Sequence, residues 1–334
     1  MGLRAKKASI LFALLLLLFI GISLFYEFPD TASAPYHSPV DRNTEDGSVV
    51  KPSSNPVATT RPPAVPVTPA PPTAPVTQQD EDYLTVYMDR SDALRGSLIL
   101  INNDHRYDVP RENDFISIAR VKTSSYLVID ESLTVDPLIV EPLNSMMDAF
   151  FAETDYETVT IISAYRDYDK QLDVLIEYST NMGSEEAQRW VAWPGHSEHH
   201  SGLAVDFGVF RGGRMRTFTG TGMFSWFSEN SYKYGFILRY TEEKSDITGV
   251  AGEPWHFRYV GNPHAFIMKE NNWCLEEYIE IVTWHSFDNP LEITYLGELY
   301  HVYFSSGTEV RIPFNCEFDI SGSNIGGFIV TVRY

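Results

Sequence analysis

Twelve of the 20 prolines in this 334-residue chain lie between Pro29 and Pro75. Pro62-Pro63, Pro66, Pro69, Pro71-Pro72 and Pro75 remove backbone donors and fix φ so often that neither a helix nor a sheet ladder can persist there. Such a stretch runs extended, at up to about 3.1 Å per residue. The composition changes at Phe28 and again near Asp82, so residues 28–82 read as a disordered proline-rich linker without chemistry of its own. A packed core must therefore come from Tyr83 onwards, which leaves room for one sizeable domain and an attachment.

Ahead of the linker, Arg4, Lys6 and Lys7 precede an uncharged, mostly apolar run from Ala8 to Tyr26. As a helix that run spans about 28 Å, close to a bilayer's hydrocarbon thickness. The basic flank before it and the acidic flank after it (Glu27, Asp30) place the N-terminus inside and the rest outside. Residues 1–27 are expected to be a membrane anchor, giving a single-pass protein of the cell membrane with an extracellular head. The alternative is a signal segment cut after Ala32-Ser33-Ala34, which would leave a secreted protein. Its run is longer than a usual signal core, and Pro35 would follow the cut.

The balance of 25 Lys+Arg against 45 Asp+Glu gives a formal charge of −20. A surface that acidic repels phosphate backbones, which argues against a nucleic-acid partner. Two cysteines, Cys274 and Cys316, are too few for a disulfide scaffold or a Cys-only zinc module. In an exported chain the two could bridge each other.

From Tyr83 to about Val282 short β-type runs alternate with helical stretches. Ser97–Ile101, Val159–Ser163, Ala204–Phe207, Gly235–Tyr240 and Trp255–Val260 read as strands. Pro142–Phe151 reads as a helix with Leu143, Met146, Met147, Phe150 and Phe151 on one stripe, and Tyr168–Tyr178 as another with Tyr168, Leu172, Leu175 and Ile176 on one face. Glu185–Val191 and Met223–Asn230 are shorter helical candidates, and a last helix is expected over about Pro263–Ile281. Without a regular βαβ period this mixture is α+β. From Leu291 onwards Ile293–Tyr295, Tyr300–Phe304, Val310–Phe314 and Phe328–Val332 read as hairpin strands, so residues 286–334 are expected to form a small all-β appendage behind a head at 83–285.

The most informative stretch runs from Pro194 to Asp206, with His196, His199 and His200 in a loop and Asp206 inside an apolar strand between Val205 and Phe207. A carboxylate buried there must be paired or bound to a cation. A second cluster, Glu253-Pro254-Trp255-His256, again sets a carboxylate and an imidazole beside a β-run. Two histidines and one aspartate form a tripod for Zn²⁺, with Glu253 left to take a proton. Spacing alone leaves two other readings open. The same donors suit non-haem Fe(II), and loop histidines with a hydrogen-bonded strand Asp need hold no metal. There is no HExxH helix. His196 and His200 are read as neighbours of the ligands rather than ligands, Trp255 as a residue of a substrate cleft, and Trp193 and Trp226 as core.

These residues resemble the motifs of the VanY-type D-alanyl-D-alanine carboxypeptidases, zinc peptidases that share a fold group with lysostaphin and the hedgehog domain. Ser-x-His-x-x-Gly-x-Ala-x-Asp is matched by Ser197, His199, Gly202, Ala204 and Asp206, and Glu-x-x-His by Glu253 and His256. Ser-x-Tyr-Arg-x-x-x-x-Gln is matched by Ser163, Tyr165, Arg166 and Gln171. The three motifs stand in the family's order, and the resemblance covers about Tyr83–Val282, leaving out the linker and the β tail.

The resemblance implies a hedgehog/D-Ala-D-Ala metallopeptidase-like catalytic domain holding one Zn²⁺ on His199, Asp206 and His256. It implies Glu253 as general base and later proton donor, and Arg166 as the group that stabilises the oxyanion or holds the substrate's carboxylate, with Gln171 and Ser197 as hydrogen-bond partners. The implied substrate is the terminal D-Ala of peptidoglycan stem peptides. An L,D- or D,L-carboxypeptidase or an endopeptidase could use the same site, because pocket shape sets that choice. A catalytically silent zinc module is the alternative of another class, and the presence of both Glu253 and Arg166 argues against it. Wall binding by the β tail is a further possibility for that segment.

Overall fold

The computed structural model describes residues 83–109 and 115–334. The apolar run at 8–26 and the proline-rich linker lie outside these residues. Among the described residues no helix is long and apolar enough to cross a membrane.

Among the described residues nine strands precede the tail: β1 (Tyr83–Tyr87), β2 (Ile116–Ser117), β3 (Leu127–Val128), β4 (Thr134–Val135), β5 (Val159–Ser163), β6 (Ala204–Arg211), β7 (Arg214–Thr217), β8 (Phe236–Leu238) and β9 (His256–Tyr259). Six of them form the central sheet in the order β3-β5-β6-β9-β8, with β7 paired to the far end of β6. Only β3 and β5 run parallel. Helix and strand mix without a βαβ period, as α+β requires.

Period two sorts the side chains of this sheet. Val159 and Ile161, Val205, Phe207 and Val209, and Phe257 and Tyr259 enter the main core. Helix α1 (Val140–Thr154) covers them with Leu143, Met146, Met147 and Phe150, spaced i, i+3, i+4, i+7. It ends where Asp155 turns left-handed (φ 54°). The alternate positions, Ala204, Asp206 and Gly208 with His256 and Arg258, share the other face, which is where the polar chemistry collects.

The tail adds β10 (Leu291–Tyr295), β11 (Glu298–Ser305), β12 (Glu309–Pro313), β13 (Glu317–Gly322) and β14 (Phe328–Arg333). β10-β11-β14-β13 make an antiparallel sheet. One face presents Ile293, Val302 and Ile329 to helices α3 (His264–Asn271) and α4 (Leu275–Thr283). The other face presents Tyr303, Phe328, Val330 and Val332 to a ribbon made by β1 and β12, paired from Tyr83 opposite Pro313 to Tyr87 opposite Glu309. At Gly322 the tail's backbone passes so close to that of Asp92 and Ala93 that a Cβ would overlap it.

Several elements differ from the sequence reading for identifiable reasons. Ser97–Ile101 is not a strand: the Arg258 guanidinium takes the carbonyls of Ser97 (3.0 Å) and Ile99 (2.8 Å), while the Leu98 and Leu100 N–H groups donate to Ser321 Oγ and the Ser323 carbonyl. The expected long helix breaks into α3 and α4 because Asn272 adopts φ 55°, and the Cys274 N–H then donates to Glu277 Oε2 (2.8 Å) to start the second. β13 forms where the sequence predicts no strand, because Phe318 and Ile320 are its only apolar signals. In α2 (Tyr168–Met182) the expected apolar face is outside, since Tyr168, Leu172 and Ile176 are exposed and only Leu175 of the four is buried. Trp193 is exposed rather than core, whereas Trp226 is buried and donates to Glu153 (2.8 Å). Cys274 and Cys316 are free thiols, the first buried at the head of α4 and the second packed against the apolar cluster of the β1–β12 ribbon.

His264 ties these parts together. Its Nδ1 lies 2.6 Å from the Tyr278 hydroxyl of α4 and its Nε2 lies 3.1 Å from Thr331 Oγ1 of β14. Burial pushes this imidazole down to about 3. The unfolded chain binds a proton near pH 6.5 and the folded one does not, so His264's share of stability is full above 6.5 and declines as pH falls towards 3. At pH 5 the expected loss is about 2 kcal/mol. Urea unfolding at pH 7.5 and 5.0 should show the drop shrinking by that amount in His264→Gln, whereas an equal drop in both proteins would refute it.

Candidate active site

Three local devices bring the polar groups together. On β6 and β9, Asp206 stands directly opposite His256. A bulge between Ile161 and Ser163 shifts β5 by one residue, so Ser163 rather than Ile162 opposes Asp206 from the other side. His199 comes from a 3-10 turn, Glu198–Ser201, whose entry is capped by Ser197 accepting from the His199 N–H. The turn closes at Gly202 (φ 73°), where a Cβ would overlap Phe115 and the Asp136 backbone nitrogen. This turn, not strand-like alternation, is what separates the directions of His199 and His200.

His199 Nε2 lies 3.1 Å from Asp206 Oδ2, and His256 Nδ1 lies 2.9 Å from Asp206 Oδ1. One ligand atom from each of His199, Asp206 and His256 falls within 4.8 Å of the others, and all three residues are buried. The other nitrogen of each ring is already committed: His199 Nδ1 faces the Ala164 carbonyl at 2.6 Å and His256 Nε2 faces Glu198 Oε2 at 3.3 Å. Each ring thus aims its free nitrogen at the same point. Four-coordinate zinc with bonds of about 2.0–2.2 Å keeps its ligand atoms roughly 3.3 Å apart, so this donor set fits the ion in both type and spacing. Burial, with the Arg166 charge, pushes His199 down to about 4, which leaves it neutral as a ligand must be. Despite burial, hydrogen bonds to Asp206 and Glu198 push His256 up to about 9, and the histidines hold Asp206 well below the carboxylate range.

Glu253 is buried with its Oε2 3.8 Å from His256 Nδ1, beside the tripod but not part of it. Burial pushes its carboxyl up to about 8, against the pull of His256. A cation on the tripod would draw it back down. Arg166 follows β5 and donates Nε to Ser163 Oγ (3.0 Å), one terminal nitrogen to Gln171 Oε1 (2.8 Å) and the other to Asp206 Oδ2 (3.1 Å). These contacts use three of its five N–H bonds and leave two for a carboxylate or an oxyanion.

The remaining expected residues support these groups. Gln171 is buried and clamped between Arg166 and the Ala192 carbonyl (2.8 Å), so it reaches a ligand only through Arg166. Ser197 is buried as the cap of the His199 turn. Trp255 is half-buried and stacks on Trp190 at 6.4 Å between ring centres. His200 accepts from the Gly195 N–H (2.9 Å) and faces the Arg166 carbonyl (2.7 Å), tying the loop to the arginine's backbone, while His196 faces the Asn102 carbonyl. Two neighbours escaped the sequence reading. Glu198 occupies an unspecified position of the motif, and Tyr240 packs its ring 4.9 Å from that of His256. Neither has a local signal, because their partners lie far along the chain.

A family model described as "VanY: D-alanyl-D-alanine carboxypeptidase" matches residues 132–262, which contain all three motifs and none of the tail. A D-alanyl-D-alanine carboxypeptidase of Enterococcus faecium is 36% identical over 247 residues, covering 71% of this chain and 75% of that protein. The chain belongs to the VanY D-alanyl-D-alanine carboxypeptidase family. A bifunctional D-Ala-D-Ala dipeptidase and D-Ala-D-Ala carboxypeptidase of Enterococcus gallinarum, another relative, is 33% identical over 188 residues, covering 55% of this chain and 93% of that one. Among solved structures, the vancomycin-resistance D,D-dipeptidase VanXYg, in complex with a D-Ala-D-Ala phosphinate analogue, superposes with a TM-score of 0.66 at 28% identity, covering 75% of this chain and 98% of that one.

Proposed function

We propose that this VanY-family member is a zinc-dependent D,D-carboxypeptidase that removes the terminal D-Ala from peptidoglycan stem peptides. The observation that carries the reading is the convergence of His199, Asp206 and His256 with Glu253 and Arg166 beside them. His199, Asp206 and His256 would hold the ion. Zinc would supply a Lewis acid that polarises the scissile carbonyl and acidifies a water to a pKa of about 7. Glu253 is the base that takes a proton from the attacking water and returns it to the departing amine of D-Ala. Arg166, held at three points, turns its two spare N–H bonds on the substrate's carboxylate or on the developing oxyanion. Trp255 and Trp190 offer an aromatic wall beside the metal ligand for the rest of the peptide.

Residues 8–26, basic before and acidic after, support an extracellular head held at the cell membrane through the N-terminal segment, with release after cleavage as the alternative. That arrangement fits a substrate in the wall.

The test is mass analysis of a stem pentapeptide ending in D-Ala-D-Ala, incubated with the zinc-loaded protein and with the same protein after chelation. Loss of one alanine that disappears on chelation and returns with zinc is the expected result. Release of D-Ala-D-Ala as a unit, or turnover of a tetrapeptide alone, would refute D,D-carboxypeptidase specificity. Free D-Ala-D-Ala, included as a third substrate, reports any dipeptidase activity of the kind carried by the Enterococcus gallinarum relative.

A further inference from the structure

Glu198 has no exposed side-chain surface. A carboxylate so buried must have every oxygen answered. Its Oε1 accepts from Arg239 Nε and from an Arg258 terminal nitrogen, both at 2.8 Å. These arginines are themselves held in place. Arg239 donates both terminal nitrogens to Glu276 of α4 (2.9 and 2.6 Å), which also accepts from Asn102 (3.1 Å). Arg258 spends its other donors on the carbonyls of Tyr259, Ser97 and Ile99. The second oxygen, Oε2, meets the imidazole of His256 through Nε2 at 3.3 Å.

The two nitrogens of that ring have different duties. Nδ1 faces Asp206 and Glu253 and is the atom turned towards the tripod. To offer a lone pair there, the neutral ring must carry its proton on Nε2. An ionised carboxylate only accepts, so Glu198 selects that tautomer. His199 uses the opposite arrangement, with the Ala164 carbonyl on Nδ1 and Nε2 turned inward.

We propose that Glu198 is a positioning residue for the metal centre: it fixes the tautomer and tilt of His256, and the buried Arg239–Glu276 pair and Arg258 hold it in register. The proposal rests on the reading of His199, Asp206 and His256 as zinc ligands. The competing role is charge balance for two buried arginines, with no effect on the metal.

Glu198→Gln separates the two roles. Its amide oxygen can keep both arginine contacts, while its NH₂ would face His256 Nε2 and favour the tautomer with the proton on Nδ1. Zinc affinity, measured by competition with a chromophoric chelator, should fall by about 10–100-fold, and the visible bands of the cobalt-substituted protein should shift. Glu277→Gln, on the same helix as Glu276 but outside this network, loosens the contacts to Lys244 and the Cys274 N–H, and should lower the thermal midpoint and leave zinc affinity unchanged. A folded Glu198→Gln protein with wild-type zinc affinity and cobalt bands would overturn the proposal.

A measurement on the wild-type protein guards against a variant that does not fold. In the ¹⁵N-labelled, zinc-loaded protein, imidazole correlations should show His256 protonated at Nε2 and His199 at Nδ1. A proton on Nδ1 of His256 would overturn the role of Glu198. A wild-type protein that binds no zinc would overturn the metal reading itself, a distinct result read in the same titration.

Discussion

Glu253→Gln should lower kcat on the pentapeptide by about 10²–10⁴-fold, the usual contribution of a positioned acid–base group. The size follows from where the carboxyl sits. It is buried, its oxygen lies 3.8 Å from His256 Nδ1, and it takes no part in the His199–Asp206–His256 cluster. The amide is nearly isosteric, so zinc content and KM should stay close to wild type while turnover collapses. Stopped-time product analysis with parallel metal determination checks both halves. A variant that keeps its turnover would remove Glu253 as the base. One that loses zinc along with turnover would show that the side chain serves the metal instead of the proton.

Arg166→Lys should cost about 10²–10³-fold in kcat/KM, as removal of a preorganised donor to developing charge does. A lysine keeps the positive charge, but it has no planar fork with which to reach Ser163, Gln171 and Asp206 together. How the loss divides between the two kinetic constants is informative. A rise in KM at constant kcat means that the guanidinium holds the substrate's terminal carboxylate in ground and transition states alike. A fall in kcat at constant KM means that it acts on the oxyanion. Near-normal kcat/KM would exclude both roles.

The candidate site was legible as a cluster because its signals are local. Asp206 stands out as a charge between Val205 and Phe207, and alternation along that strand puts it on the face away from the apolar core. The Glu253–His256 spacing is likewise contained within four residues. What sequence could not supply is what depends on distant partners. Glu198 is an ordinary acidic residue in a loop until Arg239, Arg258 and His256 surround it. Ser97–Ile101 has the composition of a strand, yet its carbonyls are claimed by an arginine 161 positions away. The apolar face of α2 has the right period for burial, but of its four residues only Leu175 is covered. Periodicity reports that a face exists and not what lies across from it.

The pairing of β1 with β12 bears on the order in which the molecule can assemble. Tyr83 and Pro313 are partners in one ladder, so the first strand of the head is also the last of the head's strands to find its partner as the chain is synthesised from its N-terminus. Until Glu309–Pro313 emerges, Tyr83–Tyr87 has an open edge, and Val86 has none of the ribbon and tail residues that bury it. Closing a loop that long is slow compared with forming the local hairpins of the tail. Completion of the fold is thereby postponed until synthesis is nearly over, and premature termination anywhere before β12 would leave a chain with an unpaired strand open to association with other chains.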